Sequence, residues 1–185
     1  MKDLSWKILS SEYLFKETWF TIRKDACENK EGKIISPYYV YEFPTWVTAV
    51  ALTREGKIIL ERQYRHGLQE TRFETPGGCV DDADKDLEHA IARELLEETG
   101  YRFNRFEYLG KTSCNPSTNN NWMHMFLAEG GELVKEQELD HNEEIEVHLF
   151  SIDEVKQLLR EQQIIQSMHV TALFYGLERL KALRY

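Results

Sequence analysis

Glu94, Glu97 and Glu98 stand at i, i+3 and i+4 in a stretch where Leu87, Ile91 and Leu95 repeat at i, i+4 and i+8, with Ala90 beside them. That period is helical, so the three carboxylates converge on one face. Like charges at this spacing destabilise a helix by roughly 0.2–0.5 kcal/mol per pair. They also crowd toward the C-terminal end, where the helix dipole disfavours negative charge. Arg93 can pair with Glu97 and offset part of the cost, but Glu98 gains nothing from it. A solvated acidic face is one account of such a run. A site for hard cations is the other, because magnesium prefers carboxylate oxygens and completes its shell with water and substrate phosphates. The bend at Pro76-Gly77-Gly78 ahead of the helix and Gly100 behind it favour the second account. A Gly-Gly bend lets backbone groups approach the head of a metal site.

RELLEETGY (93–101) matches R-E-U-x-E-E-x-G-U, where U is a bulky apolar residue. In this the chain resembles the second half of the box that defines the Nudix hydrolases. The first half departs from the family's spacing. Counting back from Arg93, Lys85 falls where the first Glu of the box belongs and Cys79 where its Gly belongs. One residue inserted after Gly78 accounts for the offset, with Asp84 or Asp86 standing in for that Glu.

The resemblance extends over most of the chain, to the ADP-ribose and nucleoside-diphosphate-sugar pyrophosphatase branch. ILERQYRHGLQETRFETPGG (59–78) carries the Gln-Tyr-Arg and the Glu-x-Pro-x-Gly of those enzymes, and Pro116 lies where they carry a proline, sixteen residues beyond Gly100. HNEEIEVHLF (141–150) resembles the loop and strand that deliver their catalytic Glu, here Glu143 or Glu144.

The resemblance implies an α+β fold, an α/β/α sandwich with a mixed β-sheet between helices. Residues 1–42 would be an N-terminal β extension that packs across a homodimer, and 43–185 the catalytic domain. Glu94, Glu97 and Glu98, with the carbonyl of Gly77, would hold Mg2+, with Mn2+ as a substitute. Arg93 would orient the glutamates, and Glu143 or Glu144 would take the proton of the attacking water. The expected substrate is a nucleoside diphosphate derivative. ADP-ribose, split to AMP and ribose 5-phosphate, comes first, with GDP-mannose or another nucleotide sugar or coenzyme as the alternative. A ligand-sensing module is the remaining class, although such domains usually lose the box glutamates.

Other side chains admit two readings. Arg65 can clamp a diphosphate bidentately or make a surface ion pair. Glu74 can accept from a ribose, bind a metal-bound water, or support its neighbours. Trp46, Tyr39 and Tyr41 can stack on a base or fill a core. Asn115 and Asn119–Asn121 suit sugar hydroxyls or a turn, and His124 reads as a strand residue with a satisfied hydrogen bond.

These groups need elements to hold them. The chain has 185 residues, 42% hydrophobic, enough for one globular domain with a short extension. Its 32 acidic against 23 basic residues, net charge −9, disfavour a general nucleic-acid binder. Bound cations would still let it handle phosphates. No apolar run approaches a membrane span, and Lys2, Asp3, Lys7 and Glu12 interrupt any signal-peptide core, so a cytoplasmic protein is expected. Cys27, Cys79 and Cys114, odd in number with no CxxC, suit a reducing compartment.

Short β-prone pieces (Tyr13–Phe15, Trp19–Arg23, Ile34–Tyr41) surround a polar turn at Glu28–Lys33. Strands are expected at 45–53, 57–65, 106–112, 122–128 and 145–150, with 68–74 extended into the Pro-Gly-Gly bend. One helix covers Asp86–Thr99 and stops at Gly100. Ser151 to Glu154 is a capping-box pattern for a second, running to about Arg160. Ser167 can cap a third, whose expected buried side is Val170, Leu173, Phe174, Leu177 and Leu180.

Overall fold

The computed structural model describes residues 1–17 and 20–183. The chain divides into two compact units, 1–44 with 113–121, and 45–112 with 122–183.

The first unit is an antiparallel sheet of β1 (Lys7–Glu17), β2 (Phe20–Glu28) and β3 (Ile34–Glu42), in that order. The β1–β2 register shifts between Ile8 and Ser10 and again between Tyr13 and Phe15. These bulges break the alternation, so β1 runs well beyond the Tyr13–Phe15 piece legible in the sequence. Trp19, expected to open the next strand, lies outside the described residues. The polar turn forms as expected, with the Asn29 side chain accepting from the backbone of Glu31 and Lys33.

The second unit is built on a seven-stranded sheet. Its strands are β4 (Trp46–Thr53), β5 (Ile58–Arg65), β6 (Glu70–Glu74), β7 (Tyr101–Arg102), β8 (Arg105–Thr112), β9 (Met123–Leu133) and β10 (Ile145–Phe150). The main path runs β10-β5-β4-β9-β7, with β6 on β5 and β8 on β9. Among its described strands β4 and β9 pair in parallel and the others antiparallel, so the sheet is mixed.

Helices cover both faces: α1 (Leu87–Thr99) on one, α2 (Ile152–Arg160) and α3 (Ser167–Arg179) on the other. Alternation along the strands divides the core accordingly. Val47, Ala49, Ala51 and Ile59 pack with Ala90, Ile91 and Leu95 of α1. Val50, Leu52, Ile58 and Leu60 pack with Val155, Met168, Ala172, Leu173 and Leu177. This is the expected α/β/α sandwich.

The caps follow the sequence with one exception. Asp86 caps α1, accepting from His89 N, and Gly100 closes it in the left-handed conformation. Ser151 and Glu154 form the full capping box on α2. The exception is α3, whose N-cap is Gln166 with no side-chain cap, so Ser167 is its first helical residue. Its buried face holds to expectation at Leu173 and Leu177, with Val170 and Leu180 packed against the core, and departs from it at Phe174. Met168, His169, Ala172, Leu173, Gly176 and Leu177 are buried, while Phe174 is exposed. Gly176 lies against Val50, where an added Cβ would come within 2.7 Å of the Val50 side chain. The helix therefore approaches the sheet along its small residues, and Phe174 is left outside.

Candidate active site

The Pro-Gly-Gly bend is sewn to β4. Ala49 N donates to the Pro76 carbonyl at 3.1 Å and Val47 N to the Gly78 carbonyl at 2.9 Å. The Thr48 hydroxyl adds a 2.9 Å bond to Pro76 O. Gly77, between the anchored carbonyls, has φ +142°, and a Cβ there would lie 2.2 Å from Val47 O, so no other residue fits. Its N–H donates to Glu98 Oε2 at 2.8 Å, tying the bend to the last turn of α1. Gly78 is open to Glu94, since a Cβ there would sit 2.7 Å from a Glu94 carboxylate oxygen.

Glu98 is buried and Glu94 nearly so, while Glu97 is half-exposed beside Arg93. Burial pushes the Glu94 carboxyl up to about 7, even with Arg93 Nη2 at 3.1 Å pulling it down. Burial likewise drives Glu98 well above the carboxylate range, and the neighbouring Glu61 and Glu94 add to the shift. A helix face that places carboxylates where their charge is disfavoured is not a solvated acidic face.

Arg93 is the organiser. Its Nη1 donates to Glu97 at 2.9 Å, its Nη2 to the Cys79 carbonyl at 3.0 Å, and both Nε and Nη2 to Asp84 at 3.2 and 3.0 Å. Asp84 therefore serves Arg93 from within the displaced first half of the box. Asp86 instead caps the helix, which separates the two candidates left open by the sequence.

Arg65, at the end of β5, grips Glu74 with three bonds of 2.6–3.1 Å. Glu74 is buried beneath it. The pair is thus neither a free clamp nor a loose surface pair. A guanidinium has five N–H groups, and Nη1 takes no part in these bonds. Behind Glu74 lies His169, a buried residue the sequence reading missed, whose Nε2 is 3.4 Å from Glu74 and whose Nδ1 meets the Thr75 hydroxyl at 2.6 Å. Burial pushes its pKa down to about 4, so the ring is neutral.

Glu61, also missed, is 1% exposed, and its carboxyl lies within hydrogen-bonding reach of Glu98. Glu143, in the loop before β10, adds its negative charge to Glu61, Glu94 and Glu98 alike. Glu144 is exposed beside it.

Trp46 packs against the core on the α2–α3 face, and its backbone bridges to Cys79 beside the Pro-Gly-Gly bend. Pro116 belongs to the other unit, as does the Asn loop, where Asn121 Nδ2 donates to the Pro44 carbonyl at 2.9 Å and Asn120 Oδ1 accepts from Phe43 N at 3.3 Å. His124 is a strand residue bonded to the Tyr108 hydroxyl at 2.8 Å. A cavity of about 760 Å³ between α2 and α3 is lined by apolar residues, Lys156, Arg160 and Gln162, with no acid.

Residues 43–169 match the NUDIX domain, and residues 6–41 match the nucleoside diphosphate sugar hydrolase N-terminal domain. The chain belongs to the NUDIX family. It is a Nudix hydrolase of the ADP-ribose pyrophosphatase-like kind. It is 29% identical to an ADP-ribose pyrophosphatase of Bacillus subtilis, covering 95% of this chain and 94% of that one. It is also 29% identical to a methanol dehydrogenase activator of Bacillus methanolicus, over 97% and 96% of the two chains. A crystal structure of an ADP compounds hydrolase superposes with a TM-score of 0.83 at 25% identity, over 98% of this chain and 97% of the other.

Nudix hydrolases generally depend on a divalent metal, and the donor set of this NUDIX domain fits one. Its acids are hard oxygen donors, Glu98 is buried and Glu94 nearly so against the glycine bend, and Glu61 Oε1 is buried with no hydrogen-bond partner. Among the described residues no group of three or more His, Cys, Asp or Glu side chains is placed to hold a metal ion by itself. Magnesium does not ask for one, since it usually keeps several waters and takes one or two carboxylates plus substrate phosphates. No helix among the described residues is long and apolar enough to cross a membrane.

Proposed function

We propose that this Nudix hydrolase cleaves the diphosphate bond of ADP-ribose, giving AMP and ribose 5-phosphate. The observation that carries the proposal is the carboxylate face of α1, with Glu98 held by Gly77 N–H and Glu94 set against Gly78. Full-length similarity to an ADP-ribose pyrophosphatase supports the choice of substrate.

Glu94, Glu97 and Glu98, with the Gly77 carbonyl, are the groups that would hold Mg2+ or, in its place, Mn2+. When bound there, the metal neutralises diphosphate charge and acidifies water. Arg93, fixed by Asp84, holds Glu94 and Glu97 in place and touches no reacting atom. Glu143 is the proposed general base, because its charge reaches the same three buried carboxyls. The water oxygen bonds to one phosphorus, the bridging P–O bond breaks, the other phosphate leaves, and the water proton passes to Glu143. Arg65, braced by Glu74, turns its remaining donors to the diphosphate.

The N-terminal sheet would join two copies. All of β1 is exposed at a sheet edge, with Ile8, Leu9, Tyr13, Leu14 and Phe15 among the exposed apolar residues. Native proteins rarely leave so long an apolar edge uncovered. The three cysteines are free thiols, in keeping with a cytoplasmic setting.

The test is to incubate ADP-ribose, GDP-mannose and a dinucleotide coenzyme separately with purified protein and Mg2+, and to separate the nucleotide products. AMP from ADP-ribose at the highest kcat/KM supports the proposal. A higher kcat/KM for GDP-mannose or the coenzyme moves the assignment to that substrate.

A further inference from the structure

Glu61 occupies a position where sheet physics calls for an apolar side chain. Alternation along β5 puts it on the same face as Ile59, which packs beneath Ile91 and Leu95 of α1. Glu98 continues that helix stripe, at i+7 from Ile91 and i+3 from Leu95, so it comes down over Glu61. The two carboxyls lie within hydrogen-bonding reach in the helix–sheet interface.

Among the described residues no group hydrogen-bonds Glu61 Oε1. In register on β6 it faces Glu74, whose oxygens are taken up by Arg65, and on β10 it faces Val147. Its Oε1 is buried with no hydrogen-bond partner. A leucine or valine would fill the position without that cost. A divalent cation on the same face would satisfy the orphaned oxygen.

We propose that Glu61 supplies a further carboxylate to the divalent-cation site formed by Glu94, Glu97 and Glu98, approaching from the sheet while those approach from the helix. The inference rests on the reading of the α1 face as a metal site. It adds a residue that lies outside the box and that the box pattern does not name.

The test is direct binding of Mn2+, followed by electron paramagnetic resonance of the free ion, to wild type, Glu61→Gln, Glu61→Leu and Glu98→Gln. Thermal melts of the same metal-free proteins accompany it. The expected result is at least tenfold weaker Mn2+ binding at the tightest site in both Glu61 variants, with a metal-free Tm at or above that of wild type. Leucine suits the apolar surroundings, so Glu61→Leu remains informative if the glutamine amide unsettles the fold. Mn2+ binding within twofold of wild type in the Glu61 variants, while Glu98→Gln loses it, would overturn the assignment of Glu61 alone. Unchanged binding in Glu98→Gln as well would remove the metal site on which the inference stands.

Discussion

Arg93 donates two hydrogen bonds, of 3.2 and 3.0 Å, to Asp84, whose side chain is almost wholly buried. Asp84 also accepts from Asp81 N at 2.9 Å and meets His89 Nδ1 at 2.8 Å. This carboxylate is the fixed point of the loop before α1, and Arg93 holds its carboxyl well below the usual range. The residue that the box spacing points to, Lys85, is an exposed neighbour.

Asp84→Ala should therefore cost about 2 kcal/mol of stability, less than a fully buried pair because Arg93 is partly exposed. It should also lower kcat, since Glu94 and Glu97 lose their brace. Lys85→Glu, which restores the family spacing on paper, should change stability by no more than about 0.5 kcal/mol. Urea unfolding of the two variants checks both. A Lys85→Glu variant that rescues Asp84→Ala would contradict the assignment.

Arg65 and Glu74 make a separable prediction. Removing Arg65 leaves a buried carboxylate without its main partner, but Arg65 is more exposed than Arg93, so Arg65→Ala should destabilise by about 1–2 kcal/mol and raise KM. Arg65→Lys keeps the charge but not the two-pronged grip, and should recover stability more than KM. Melts and steady-state kinetics on both variants distinguish bracing from substrate contact. An unchanged KM in both would leave the pair a structural feature only.

His169 gives the pH dependence. Its folded pKa of about 4 lies below the unfolded value, so the unfolded state binds the extra proton as the pH falls. Stability from this group is complete above about pH 6.5 and is lost between there and pH 4, by about 3 kcal/mol in all. Glu94 and Glu98 act in the opposite sense, because their raised pKa values add stability as the pH falls. The readout is therefore the difference between wild type and His169→Gln across urea titrations at pH 7, 5.5 and 4. Parallel curves would show that the ring is not buried in its neutral form.

If β1 closes a dimer, wild type should elute with twice the mass of one chain by light scattering. Phe15→Glu should shift it toward the monomer. A monomeric wild type at micromolar concentration would end that part of the account.

The carboxylate helix was legible because Leu87, Ile91 and Leu95 mark its buried stripe and Asp86 and Gly100 mark its ends. The sheet was legible because β4 is a continuous apolar run and β10 is bounded by a polar loop. Glu61 was not legible. In the sequence it opens the polar end of ILERQYR, and only its pairing with Glu74 and the cover of α1 show it to be inside. His169 was hidden for a similar reason, since a single histidine in a helix gives no sign of the Glu74 and Thr75 groups it meets across the fold. Phe174 reads as buried by its hydrophobicity, whereas the packing follows the small residues Ala172 and Gly176.

The most direct test of the central claim is AMP release from ADP-ribose and Mg2+ by wild type and Glu98→Gln, with both proteins shown to be folded by circular dichroism. The expected result is AMP from wild type and a rate at least about a hundredfold lower in the variant, equivalent to roughly 2.7 kcal/mol in the barrier. Near-wild-type turnover by folded Glu98→Gln would contradict it.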